Sequence, residues 1–178
     1  MQKVLAAILI LFLSSFVINP GDHKEKIQWI SFEEAEKRMK SNPLPILIDV
    51  YTDWCGWCKV MDKKTYANDS VANYLNKNFY SIRFDAESKT PIQWKGKTYN
   101  YNAQQRMHNL AIELLKGDAG FPTTVIIPIQ PNDPQAIPGF LQPAEIHTLL
   151  TYFANGHFKT IRYDKYAEKF RSNWKTIE

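Results

Sequence analysis

The segment Pro45–Thr52 (PILIDVYT) is a near-continuous apolar run rich in β-branched residues, and it leads straight into Trp54-Cys55-Gly56-Trp57-Cys58-Lys59. A run of that kind reads as a central strand covered on both faces. A helical pattern then continues through about Lys64. Cys55 and Cys58 are the only cysteines in 178 residues. A multi-disulfide scaffold is therefore excluded, and the fold must rest on a hydrophobic core. Hydrophobic residues at 44% and charged residues at 22% supply an ordinary globular mix, which argues against long disorder. The length allows one domain and leaves little room for a second. A formal charge of +4, dispersed along the chain, is too small to suggest a nucleic-acid surface.

The remaining pattern alternates strands and helices. Ile27–Ile30 reads as a short strand, and Ser31 with Glu34 forms a capping box for a helix over Phe32–Lys40 that Asn42–Pro43 ends. Asp69–Asn78 has helical spacing, and Phe79–Phe84 reads as the next strand. Lys95–Gly96 is a turn between two short β-like runs, Ile92–Trp94 and Thr98–Tyr101. Over Ala103–Lys116 a helix is expected, with Met107, Leu110, Ala111, Leu114 and Leu115 on one face and Gly117 as its stop. Strands at Thr123–Ile127 and around Ala136–Phe140 precede a helix over Pro143–Asn155. The tail Tyr163–Trp174 reads as one more amphipathic helix, with Tyr166, Phe170 and Trp174 at steps of four. Together these predict one α/β domain over 27–178.

A C-x-x-C pair that follows a strand and opens a helix points to thiol redox chemistry. Only a thiolate attacks a disulfide, and a helix N-terminus stabilises one through free backbone N–H groups and the positive end of the dipole. Cys55 takes that first position and is assigned as the nucleophile; Cys58, one turn on, can resolve a mixed disulfide. Gly56 is expected to permit the close approach of the two sulfurs, and Lys59 reads as a solvated surface lysine. Two other uses share the spacing. A structural disulfide would close a tiny loop and stabilise little. Half of a zinc site would need two more ligands, and His23, His108, His147 and His157 show no paired ligand spacing, so no metal is expected. A lone acid, Asp49, inside the run Ile46–Val50 is costly unless paired or functional.

The segment Asp49-Val-Tyr-Thr-Asp-Trp-Cys-Gly-Trp-Cys-Lys59 strongly resembles the active-site segment of thioredoxins and their secreted thiol–disulfide oxidoreductase relatives. Gly120-Phe-Pro-Thr-Thr124 resembles that family's cis-proline loop, and Gly139–Phe140 the glycine after its last strand pair. The resemblance covers about residues 27–155 and implies a thioredoxin fold: a central mixed β-sheet flanked by helices, here with an insertion before the cis-Pro loop and an extra C-terminal helix. It further implies that Pro122 is cis and faces the cysteines, with the backbone beside it pairing to an extended substrate chain. Asp49 matches the buried carboxylate that exchanges protons with the second cysteine, and Arg83 stands where thioredoxins keep a lysine near it, so an Asp49–Arg83 pair is implied. Trp54 would shield the site and offer a flat contact surface. The substrate-contacting set is then Trp54, Gly56, Trp57, Phe121 and Thr123, beside the catalytic set Cys55, Cys58, Asp49 and Pro122. The Gly-Trp dipeptide departs from the family's usual choices, so a reduction potential does not carry over. In the longer segment 88–116, Trp94, Tyr99 and Tyr101 either pack under an insertion or build a partner-binding wall.

Residues 1–19 carry Lys3 near their start, followed by an unbroken apolar or small-residue run, Val4–Ile18. At a helical rise of ~1.5 Å this run spans ~22 Å, short of a ~30 Å hydrocarbon core. A secretory signal peptide is expected, with an uncleaved N-terminal anchor as the alternative, and either places the domain outside the cytoplasm. The leading functional expectation is an extracytoplasmic oxidoreductase that reduces protein disulfides through a Cys55–Cys58 dithiol/disulfide cycle, with no other cofactor. Its expected partners are protein disulfide or dithiol clients and a membrane-embedded thiol-electron transporter, and no nucleic acid. The alternatives are a disulfide oxidase or isomerase of secreted proteins, and a non-catalytic binding module on the same fold.

Overall fold

The computed structural model describes residues 25–117, 120–131 and 133–174; the expected leader at 1–19 lies outside them. The core is a four-stranded sheet of order β2-β1-β7-β8, built from β1 (Ile46–Tyr51), β2 (Tyr80–Asp85), β7 (Thr123–Ile127) and β8 (Gln135–Pro138). β2 lies parallel to β1, whereas β7 is antiparallel to both β1 and β8. Two small hairpins, β3 (Ile92–Trp94) with β4 (Lys97–Tyr99) and β5 (Tyr101–Asn102) with β6 (Met107–His108), stand apart from it.

Alternation along the strands divides the interior in two. Ile46, Ile48 and Val50 of β1 join Ile82, Phe84, Val125 and Ile127 against α1 (Phe32–Met39), α4 (Asn109–Leu114) and the hairpin β3–β4. Leu47 and Ile126 face the opposite way, toward α2 (Gly56–Met61), α3 (Asp69–Asn78) and α5 (Pro143–Ala154). This is the mixed sheet with helices on both faces that the strand pattern predicts.

Several elements differ from the expectation. Ile27–Ile30 makes only a single bridge, Trp29 to Ser81, because the cap residue Ser31, which accepts from Glu34 N, turns the chain into α1 at once. The helix after the cysteines stops at Met61 and passes into a π-helical turn, Asp62–Tyr66. The expected helix over 103–116 begins only at Asn109. Asn102 Oδ1 accepts from the backbone N–H of Gln104 and Gln105 and holds a turn there, and His108 caps the helix by accepting from Leu110 N. The apolar spacing is nonetheless honoured, since Leu110, Ala111 and Leu114 are buried and Met107 packs beside them.

At the C-terminus α6 (Tyr163–Lys169) ends before the aromatic series does. Trp174 still packs, stacking on His147 at 3.8 Å with Tyr74 at its edge. Spacing thus identified the packing residues but not the backbone that carries them. In the segment 88–116, Trp94 and Tyr99 are each only 5% exposed, so they belong to the core and not to a partner-binding wall. Trp94 meets Phe32 edge-on at 5.3 Å. Acids of α1 hold the hairpin in place: Glu33 and Glu36 accept the backbone N–H of Gln93 and Lys95.

A Trp94→Ala substitution should therefore destabilise the whole domain by about 3–5 kcal/mol, read as a lower midpoint in denaturant unfolding. A change confined to local loosening of 88–102 would show that the insertion is an independent appendage.

Candidate functional site

β1 delivers the chain to the cysteines. It ends at Tyr51, and Cys55 N–H donates back to Thr52 O at 3.1 Å, closing a tight turn into α2. Cys55 is the N-cap of that helix, with φ −69° and ψ 106°, and its Sγ accepts the Cys58 backbone N–H at 3.0 Å. The two residues form a disulfide with their Cα atoms 5.3 Å apart. One of the helix's orphan N–H groups therefore already points at Cys55 sulfur, which is where a thiolate gains most. Lys59 is exposed.

Each cysteine is only 4% exposed, yet the indoles beside them are the most open large apolar side chains of the described residues, Trp54 at 66% and Trp57 at 62%. Each is propped from a separate loop. Trp54 Nε1 donates to Glu87 Oε1 at 3.1 Å, and its ring meets Phe121 edge-on at 5.9 Å. Trp57 lies tilted across Phe140 at 5.8 Å. The disulfide thus sits within a rim of four rings.

The Phe121–Pro122 peptide is cis. Pro122 O accepts from Gly139 N at 2.8 Å, and Gly139 has φ +101°, a conformation that side chains rarely adopt. Thr123 is 1% exposed, and its hydroxyl donates to Gly120 O at 2.7 Å. Its side chain braces the loop. Gly56 differs from the sequence-based expectation: a Cβ there would meet nothing within 4 Å, and its φ is unexceptional. Helix geometry at Cys55 brings the sulfurs together, and the missing side chain at Gly56 only leaves that stretch of surface bare.

Below the cysteines, a polar row crosses the sheet on its α2 face. Asp49 is in register with Arg83 of β2 on one side and with Thr124 of β7 on the other. Arg83 Nε stands 3.7 Å from Asp49 Oδ2, so the implied pair is present as a long contact. The stronger bond of Arg83 goes to Asp62 Oδ2 in the π-helical turn. Asp49 is 2% exposed. Burial, only partly offset by Arg83, pushes its carboxyl up to about 7, and Asp62 adds to the rise. Tyr66 from the same turn faces the carboxyl and favours its charged form slightly. The hydroxyls of Tyr66 and Thr124 are buried without a well-formed hydrogen bond.

Asp62, Tyr66, Thr124, Glu87 and Phe140 escaped the reading of the sequence as site residues. For Asp62 a signal existed, since it lies four residues after Cys58, about one helical turn further on, where α2 passes into the π-helical turn. Glu87 and Phe140 reach the site only through tertiary packing. Among the described residues no cluster of His, Cys, Asp and Glu is arranged to hold a metal.

The fold and motif can be set beside known proteins. A DsbH oxidoreductase structure superposes with a TM-score of 0.53 at 19% identity, covering 73% of this chain and 85% of that one. A thioredoxin from Thermus thermophilus does so with a TM-score of 0.53 at 14% identity, covering 77% and 98%. Both likenesses are of fold. The thiol:disulfide interchange protein DsbD of Pectobacterium atrosepticum is 36% identical over 44 residues, which is 25% of this chain and 8% of that protein. Of several curated relatives, DsbD among them, the chain spans a tenth of the length or less. The model of the Thioredox_DsbH family, described as a protein of unknown function, DUF255, matches residues 9–154. With a C-x-x-C disulfide at the end of the central strand of a thioredoxin fold, the chain belongs to the Thioredox_DsbH family within the thioredoxin superfamily.

Proposed function

We propose that this protein is an extracytoplasmic thiol–disulfide oxidoreductase that reduces protein disulfides. The observation that carries the reading is the Cys55–Cys58 disulfide at the N-terminus of α2, with Cys55 Sγ already accepting the Cys58 N–H inside an exposed aromatic rim. In the reduced enzyme, Cys55 thiolate attacks one sulfur of a client disulfide and expels the other as a thiolate, which takes up a proton. Cys58, once deprotonated, attacks Cys55 Sγ; the mixed disulfide breaks, the client leaves with both cysteines reduced, and the Cys55–Cys58 bond forms. Two electrons pass from enzyme to client. A carboxyl that titrates near 7 in the folded protein suits proton exchange with Cys58 at neutral pH, and Asp49 is assigned that role.

The reducing direction is supported by this buried acid and by a Gly56–Trp57 dipeptide that lacks histidine. The extracytoplasmic setting is supported by the apolar run Val4–Ile18 behind Lys3. In an oxidising compartment the spent disulfide must be re-reduced, and a membrane-embedded thiol-electron transporter is the partner class that this demands. The clients would seat on the rim of Trp54, Trp57, Phe121 and Phe140, with the backbone beside Pro122 open to strand-like pairing.

Titration of the Cys55–Cys58 pair against defined thiol buffers tests the direction. A potential near the ~−270 mV of thioredoxin supports the reductant, and one near ~−120 mV overturns it in favour of an oxidase. Cys58→Ser should accumulate a stable mixed disulfide with clients through Cys55, visible as a covalent complex that reductant releases, whereas Cys55→Ser should trap nothing and lose activity. Equal activity of Cys55→Ser would leave a binding module.

Asp49→Asn should slow client release by roughly 10²-fold at neutral pH while leaving the first attack little changed. The same substitution has a stability signature. A carboxyl raised from 3.8 to about 7 on folding binds its proton more tightly in the folded state. The wild-type protein should therefore lose stability as pH rises between those two values, and remain at the lower level above them. Asn at position 49 should flatten that decline, so Tm at pH above 7 should exceed that of the wild type; an unchanged slope would remove Asp49 as the titrating group.

A further inference from the structure

Two carboxylates compete for one guanidinium beneath the active site. Arg83 Nη2 bonds to Asp62 Oδ2, while its Nε stands 3.7 Å from Asp49 Oδ2, beyond hydrogen-bond reach. The guanidinium also lies 4.5 Å from the centre of the Tyr51 ring. The Asp62 side chain is 30% exposed and that of Arg83 35%, against 3% for Asp49. The cation is thus drawn outward, to the wall of a cleft of about 360 Å³ that Asp62, Tyr66 and Arg83 line together. The π-helical turn brings this about, because it places both Asp62 and Tyr66 against the sheet row Arg83–Asp49–Thr124. Irregular turns of this kind recur where a helix must aim particular side chains.

We propose that Asp62 is a positioning residue: by holding Arg83 away from Asp49, and by adding a second negative charge on the same face of the sheet, it sets the pH at which Asp49 releases its proton. The other groups that face Asp49 leave Asp62 in control. Tyr66 from the π-helical turn is pushed well above its ordinary range by burial and stays neutral. Thr124 from β7 carries no charge, and Tyr51 on β1 is likewise raised by burial. Glu25 and Lys26 line the same cleft, and Glu25 Oε1 accepts from Asn76 Nδ2. Cys55 and Cys58 are tied up in the disulfide. Arg83 is therefore the only cation in contact with the Asp49 carboxyl among the described residues, and Asp62 decides how much of it Asp49 receives. The directions agree: Arg83 favours the charged form of Asp49, and Asp62 opposes it.

The consequence for catalysis rests on the thiol–disulfide reading above: Asp62 would set the pH at which Cys58 becomes a nucleophile. The titration itself is independent of activity and is read in the oxidised full-length protein, by carboxyl carbon NMR of Asp49. Asp62→Asn, which keeps the shape and removes the charge, should lower the Asp49 midpoint by about one pH unit or more, as expected when an opposite charge is freed to approach a carboxylate. Asp62→Glu, which keeps the charge, should hold it near the wild-type value. Arg83→Gln should raise it, and in that background Asp62→Asn should have less than half its former effect, since the route through Arg83 is gone. A midpoint that Asp62→Asn leaves unchanged or raises overturns the proposal; so does a full-sized effect without Arg83. Should Asp62→Asn fail to fold, Asp62→Ser takes its place under the same criteria. The pH profile of client reduction should move with the Asp49 midpoint. If the midpoint moves while no client is reduced at any pH, Asp62 keeps its role and the thiol–disulfide reading falls.

Discussion

β1 is hydrogen-bonded along both edges, to β2 on one side and β7 on the other, and that double ladder fixes which residues lie beneath the cysteines. A slip of one residue would send Leu47 and Asp49 to the face now occupied by Ile46, Ile48 and Val50. An aspartate would then meet the apolar cluster of α1, α4 and the insertion, away from Arg83 and Thr124. Held in its present register, it meets Arg83 and Thr124 in one row and lies under the turn that follows the cysteine helix. The same strand, at its C-terminal end, sets where Cys55 enters α2. The buried acid and the entry to the cysteine helix are thus both placed by one strand.

The two faces of the sheet do different work. One is closed by aromatic and aliphatic packing, with Trp94 and Tyr99 brought in by the insertion. The other gives up part of its apolar area to Asp49, Tyr66 and Thr124, and the hydroxyls of Tyr66 and Thr124 lack hydrogen-bond partners among the described residues. Buried polar groups without partners weaken a fold, so this face carries the stability cost of the site and the first face offsets it. α5 and the aromatic tail, with Trp174 stacked on His147, add packing to the polar side beyond the row itself.

Much of this was legible in the sequence because it is written locally. The apolar run before the cysteines, the Ser31 cap, the Asp69–Asn78 helix and the Thr123–Ile127 strand all follow from neighbouring residues. Cys55, Cys58 and Asp49 could be named for the same reason. What escaped depended on distant contacts or on competition between local preferences. Residues 103–106 have good helix formers but no buried face, and Asn102 captures their backbone first. The tail's aromatic spacing survives the loss of helix because His147 and Tyr74 hold Trp174 directly. Glu87, Phe140 and Thr124 bear on the site only once the sheet and its loops have assembled, and no period in the sequence marks them.

The rim has a further meaning when the chain is considered as it is made. Phe140, which props Trp57, and Gly139, which holds the carbonyl of Pro122, lie some 85 residues beyond Cys55. At roughly 5–20 residues per second of synthesis, about 4–17 seconds separate the appearance of the cysteines from that of their surroundings. For most of that interval Cys55 and Cys58 have Trp54 and Trp57 beside them but lack the cis-proline loop, Phe121 and Phe140. If clients seat on the rim as proposed, the surface that receives them is completed late, well after the cysteines it surrounds.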